Sequence, residues 1–101
     1  MTLTQLEYFV ETVHSGNFTK AAGKLYISQP TLSRSIQNLE KELNVILIDR
    51  EAKDFQLTRE GQIFFDYAEK MLEEFHTRTR EMMDKLENAD GKLRLGITPT
   101  T

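Results

Sequence analysis

From Arg59 to Asn88 the chain runs for thirty residues without a proline, and its apolar side chains Phe64, Ala68, Met71, Phe75, Met82 and Leu86 recur in steps of four, three, four, seven and four. With Thr58 as a cap in front, the pattern predicts one helix roughly 45 Å long at about 1.5 Å per residue. The 58 residues that precede it cannot build a core large enough to cover such a rod. Four aromatic residues, Phe64, Phe65, Tyr67 and Phe75, are more than a solitary solvated helix carries. The spacing is close to a heptad seam broken at Arg78, so a second helix is the expected cover.

The preceding residues read as three shorter helices. Leu6, Phe9, Val10 and Val13 repeat at helical spacing after Thr4, which with Glu7 three residues on predicts a capping box, and Ser15-Gly16 ends that helix. A short helix over Thr19 to Leu25 follows, entered through Asn17 or Phe18-Thr19, with Ala21 and Ala22 small enough for close helix approach. Ser28 is the expected cap of a third helix, with Pro30 in its first turn, where a missing N–H costs nothing. Its Leu32, Ile36, Leu39 and Leu43 form a narrow stripe for packing, and Asn44 suits a left-handed end.

"VILIDREAKDFQLT" then offers a β-branched run, a charged tip from Arg50 to Asp54, and alternating Phe55 and Leu57, the pattern of a hairpin. "GKLRLGI" near the end alternates Leu93, Leu95 and Ile97 like one strand with nothing to pair with. Three units result: residues 1–58, the long helix within 59–90, and, over 91–101, the expected first strand of another domain that is missing here. The fold expected is mainly α: three helices plus a β-hairpin wing, in outline a winged helix-turn-helix, followed by a long dimerisation helix.

Charge is distributed unevenly. The formal net charge is −3, yet the 28 residues from Thr12 to Leu39 contain no Asp or Glu and include Lys20, Lys24 and Arg34. Residues 59–90 hold nine acids against five bases. The overall charge therefore conceals a local one, and phosphate binding depends on the local field. There is no cysteine, which removes disulfides, thiolate metal sites and thiol nucleophiles. No apolar run reaches the length of a membrane span and the start does not resemble a signal peptide, so a cytoplasmic location and no membrane partner are expected.

The third helix explains its own composition if it enters the major groove of DNA. Such a helix must shed acids, which phosphates repel, and carry side chains that both donate to and accept from base edges. Gln29, Ser33 and Gln37 do so at intervals of four, and Pro30 offers a rigid apolar surface for a thymine methyl. Arg34 suits a guanine or a phosphate, Thr19, Ser28 and Thr31 are hydroxyl donors for phosphates, and Arg50, on the wing, is expected at a phosphate or groove. A polar face by itself is ordinary solvent surface. Only its conjunction with the acid-free run and the short helix in front points to double-stranded DNA.

"FTKAAGKL", then "SQPTLSRSI", then "LTREG", at the spacing they have between Leu6 and Gly61, closely resemble the N-terminal DNA-binding domain of LysR-type bacterial transcriptional regulators. The resemblance extends from Thr2 to about residue 97. It implies a homodimer joined through the long helix, recognition helices in successive major grooves of an imperfect inverted repeat, and wings at the flanking minor grooves. Gln29, Pro30 and Ser33 match base-contacting positions of the family, Arg34 a contact to base or backbone, and Lys53 a wing position usually held by Arg. It further implies RNA polymerase as a partner and, in a complete member, a periplasmic-binding-protein-like domain that senses a small-molecule effector; no cofactor is expected within these 101 residues. Ile48 stands where Phe is usual, Asn44 replaces a common Gly and Glu60 a common Ala. Lys53, set between Glu51 and Asp54 and lacking the guanidinium fork, predicts a weak wing contact and an affinity concentrated in the recognition helix.

Other classes fit less well. An enzyme would need convergent acid, base or nucleophile groups, and the two histidines, His14 and His76, sit far apart in sequence with no sign that they meet, so neither a catalytic residue nor a metal site is assigned. The remaining alternative is a winged-helix protein-interaction module with a coiled-coil arm. The seam residues expected at the dimer interface are Phe64, Ala68, Met71, Phe75, Met82 and Leu86.

Overall fold

Local caps set the boundaries of four helices. In a computed structural model, which describes residues 1–89, these are α1 (Leu3–Ser15), α2 (Phe18–Leu25), α3 (Gln29–Leu43) and α4 (Arg59–Asn88). The strand expected over residues 91–101 lies outside the described residues.

Helix α1 begins two residues earlier than the Thr4–Glu7 pattern suggests. Thr2 is its cap: the Thr2 hydroxyl accepts from Gln5 N–H at 3.1 Å and the Gln5 side-chain Oε1 accepts from Thr2 N–H at 2.9 Å. Thr2-x-x-Gln5 satisfies the same motif as Thr4-x-x-Glu7, and the earlier start adds helical hydrogen bonds without losing the reciprocal cap. The helix stops where Gly16 takes φ 78°, its N–H donating to Thr12 O. Asn17 then caps α2, one residue ahead of the expected Thr19 start, by accepting from Lys20 N–H at 2.6 Å. Ser28 caps α3 with Pro30 in its first turn, and Asn44 closes it in the left-handed region at φ 59°. Thr58 caps α4 by accepting from Gly61 N–H.

The three short helices pack around Phe9, Ala21, Ala22, Leu32, Ile36 and Leu39, closed from below by Leu47 and Ile48. Three of the four stripe residues of α3 are fully enclosed, and Leu43 lies at the rim. Helix α4 is anchored by its first four turns. Its Ala68 and Leu72 bury against Leu6 and Val10 of α1, and Phe64 meets Phe9 edge-on with ring centres 5.2 Å apart. Past that anchor, Met82, Met83 and Leu86 are exposed.

The expected hairpin is reduced to one antiparallel bridge, Ile48 opposite Leu57, flanked by Asp49 N–H to Gln56 O and Thr58 N–H to Leu47 O, both 2.9 Å. The carboxylate of Glu40, 5% exposed, accepts from Leu47 N–H at 2.7 Å and Ile48 N–H at 3.2 Å. The start of the wing is thereby tied to α3 by a side chain as well as by the chain itself.

Gly61 sits where α4 crosses the base of the wing, and a Cβ there would lie 1.9 Å from the carbonyl oxygen of Leu47. Alanine is favoured over glycine inside a helix by about 1 kcal/mol. Here the clash is with backbone that Thr58 N–H and hydroxyl already fix, so overpacking decides the sign. Gly61→Ala should lower stability by ~3 kcal/mol in denaturant unfolding. An unchanged or raised midpoint would contradict this packing.

Candidate nucleic-acid interface

The helix-turn-helix formed by α2 and α3 presents one continuous polar face. Gln29, Pro30, Thr31, Arg34 and Gln37 are exposed along α3, whereas Ser33 is half-buried at the edge nearest α2. Thr19, the second residue of α2, is exposed beside them and its hydroxyl donates to the Gln29 side-chain carbonyl at 3.4 Å. Two short helices meeting at an alanine pair make this proximity possible, since Ala21 and Ala22 let α2 lie close against the buried side of α3.

The start of α3 is internally organised. Ser28 Oγ accepts from Thr31 N–H at 3.2 Å and lies 2.7 Å from Thr31 Oγ1. Each hydroxyl carries one proton, so the pair uses one between them and leaves one to donate to a phosphate oxygen. The turn before it contains Tyr26, at φ 59° and 93% exposed. A left-handed conformation costs a non-glycine residue roughly 1–2 kcal/mol, and nothing in the residue type marks the position, so the sequence offered no way to find it.

Both acids that bound the acid-free run are turned to internal uses. At its start, Glu11 accepts from the Ser15 hydroxyl at 2.7 Å and pairs with Lys24 at 3.8 Å. At its end, Glu40 is buried under the wing. Its carboxylate is the joint between α3 and the wing.

Arg50 likewise has partners inside the domain. Expected at a phosphate or groove, it places Nη1 3.0 Å from Glu40 Oε1 and 3.2 Å from Oε2, and also 3.4 Å from the Ile48 carbonyl. A guanidinium beside a buried carboxylate supplies the countercharge without which that carboxylate would be expelled. Lys53 stands exposed at the wing tip, between exposed Glu51 and Asp54.

The expected dimer seam also divides. Ala68 is 0% exposed within the single chain and Phe64 packs against Phe9, so these two residues serve the α1–α4 contact and Ala68 has no surface to offer a partner. Met71, Phe75, Met82 and Leu86 are exposed. Ile63 and Tyr67, absent from the expected seam, are exposed on the same side. Spacing alone could not distinguish the apolar positions that face α1 from those that do not. Arg78, the break in the seam, donates to Glu74 at 2.6 Å and Glu81 at 3.0 Å, and the hydrogen bond to Glu74, then that to Glu81, raises its pKa above the ordinary value.

His14 does find a partner, though not His76: its Nε2 lies 2.6 Å from Glu69 Oε2 on α4, with the ring edge-on to Phe65. Among the described residues no three His, Cys, Asp or Glu side chains converge as a metal site would require. No helix among them is long and apolar enough to cross a membrane.

Residues 3–62 match the family model described as a bacterial regulatory helix-turn-helix protein, lysR family. A probable RuBisCO transcriptional regulator of Cyanidioschyzon merolae is 43% identical over 99 residues, 98% of this chain and 33% of that protein. The HTH-type transcriptional regulator BenM of Acinetobacter baylyi is 42% identical over 97 residues, 96% of this chain and 32% of that protein. The chain thus spans about a third of the length of these curated relatives. Among solved structures, the BenM DNA-binding domain in complex with catB site 1 DNA matches with a TM-score of 0.84 at 42% identity, covering 87% of this chain and 98% of that one. DarR of Vibrio fischeri in complex with DNA matches with a TM-score of 0.82 at 27% identity, covering 88% of this chain and 30% of that one. With the helix-turn-helix face, the caps that shape it and the family model in agreement, the chain belongs to the lysR family of bacterial regulatory helix-turn-helix proteins.

Proposed function

We propose that this chain is the DNA-binding part of a transcriptional regulator, placing α3 in the major groove of an inverted repeat as a homodimer. The observation that carries the reading is electrostatic. The polar face of α3 is exposed and acid-free, and the two acids that bracket it in sequence are held by Ser15, Lys24, Arg50 and backbone N–H groups. A domain in a chain of net charge −3 can thus present phosphates with Lys20 and Arg34 and no competing carboxylate on that face.

Within this reading Gln29, Pro30, Ser33 and Gln37 meet base edges, and Ser28, Thr31, Arg34 and Lys20 hold the backbone. Lys53 reaches a minor groove through the wing, with Glu51 and Asp54 beside it weakening that contact. Arg50 orients the wing from inside. Helix α4 supplies the dimer contact through Tyr67, Met71 and Phe75, which are 63%, 42% and 46% exposed and line one apolar groove with Lys70, Glu74 and Arg78. The small-molecule effector of such a regulator would be sensed by a domain following α4.

Affinity for an inverted-repeat duplex should fall with salt by about 0.9 in log K per log salt for each phosphate neutralised; affinity indifferent to salt would favour a protein-interaction module instead. Lys20→Ala should weaken all duplexes alike and reduce that slope by about one. A change in base preference with Lys20→Ala would place the residue in the groove and overturn its backbone assignment. Phe75→Glu, at an exposed site, should leave the helices intact and raise the dimer dissociation constant by about 10²–10³-fold in sedimentation, the loss expected from an unpaired charge in a buried contact. A variant that still dimerises like the wild type would remove α4's groove from the interface.

A further inference from the structure

We propose that Tyr26 is a further DNA contact, its phenol hydroxyl donating to a phosphate oxygen on the wall of the groove that α3 enters. The inference deepens the reading of α3 as the groove-entering helix and rests on it.

The connector between α2 and α3 carries a residue that the stability of the domain does not account for. Tyr26 closes α2 in the left-handed region at φ 59°, its N–H donating to Ala22 O and Gly23 O. Asn44 closes α3 in the same conformation, which asparagine visits readily because its short polar side chain can bond locally. Tyrosine has no such compensation. Its side chain, 93% exposed, finds almost no cover in the chain: Gly23, three residues back, carries no side chain, and even a Cβ there would meet nothing within 4 Å. A large aromatic group is thus held in water, in a conformation disfavoured for it. That combination fits a contact made outside the domain, since tyrosine offers contact area and a hydroxyl for little loss of side-chain entropy.

Position and charge direct that contact to the DNA backbone. Tyr26 lies two residues before Ser28, the cap of α3, so its Cα stands within about 7 Å of that helix end. A major groove about 12 Å wide has a phosphate wall on either side of a helix end placed in it. The turn is fixed to the core, because Ile27 N–H donates to Ala22 O at 3.1 Å and both residues belong to the core packing. No Asp or Glu occurs from Thr12 to Leu39, so neither the connector nor the helix ends it joins carry an acid to oppose a phosphate, and Lys20 and Lys24 precede it on α2. A phosphate oxygen only accepts, so the phenol meets it in one way, as the donor. The contact adds affinity without reading sequence, and because tyrosine is neutral it displaces no counterion.

The test compares wild type, Tyr26→Phe and Tyr26→Gly as dimers on a selected inverted-repeat duplex. Ethylation interference locates the phosphates that matter, and competition binding against single base-pair variants over a range of salt gives affinity, preference and slope. In the wild type, ethylation of one phosphate in each half-site should interfere in a way that Tyr26→Phe abolishes, leaving the other positions unchanged. Tyr26→Phe keeps the ring and the backbone and should weaken every duplex about tenfold per half-site, the worth of one hydrogen bond to a charged group, with base preference and salt slope as in the wild type. Tyr26→Gly should weaken binding at least as much while raising the midpoint of denaturant unfolding, since glycine takes the left-handed conformation without steric cost. Opposite shifts in binding and stability separate a lost contact from a damaged fold. If Tyr26→Phe binds with wild-type affinity and an unchanged interference pattern, the residue faces solvent or a protein partner and the inference is overturned. A changed preference at a single base pair overturns it as well, by placing the hydroxyl on a base. If the wild type itself shows no paired half-sites, the reading of α3 fails and the inference falls with it.

Discussion

The buried carboxylate of Glu40 is the contact on which the DNA-facing geometry depends. It accepts from the Leu47 and Ile48 backbone N–H groups and from the Arg50 guanidinium, so the segment 47–50 that opens the wing is fixed relative to α3 by one side chain. A buried ion pair is weak evidence for stability, since desolvation offsets most of the attraction, but removing one partner leaves an uncompensated charge at a cost of about 3–5 kcal/mol. Its value here is geometric. It sets where the wing lies with respect to α3, and it withdraws from the surface an acid that would otherwise adjoin the polar face of that helix.

The same economy recurs along the chain. Along the polar face of α3 the exposed groups are neutral or basic, and the two acids that bracket the acid-free run bond within the domain, whereas Glu51 and Asp54 stay exposed on the wing. Glu11 is held by Ser15 and Lys24, and Ser28 and Thr31 organise the first turn of α3 while keeping one hydroxyl proton available. The acidic residues of the molecule are concentrated on α4, and much of that rod projects beyond the helices that anchor it, in a molecule 57 Å long and 26 Å wide. Repulsion from phosphates is thereby moved away from the groove.

Much of the fold was legible because its signals are local. Gly16, Ser28 with Pro30, Asn44 and Thr58 each act within a few residues of themselves, and the structure uses each as a helix end. Where two local motifs competed, as Thr2-x-x-Gln5 and Thr4-x-x-Glu7 did, spacing could not choose between them. What stayed hidden needed a partner distant in sequence. Glu40 in "NLEKEL" looks like any surface acid until Leu47, Ile48 and Arg50 are brought to it, and the apolar side chains of α4 cannot be divided between α1 and another helix until α1 is in place. The recognition face lay between these extremes: the absence of acids is visible in sequence, whereas the turn of Gln29 towards Thr19 is not.

The central claim is that α3 enters the major groove in two copies related by the dimer axis. Methylation interference at guanine N7, on a duplex selected from a random pool by the dimer, tests it most directly, because N7 lies in the major groove alone. The account predicts two interference clusters in inverted orientation, separated by one helical turn of about 10 base pairs or a whole multiple of it. A single cluster, or protection confined to the minor groove, would contradict it.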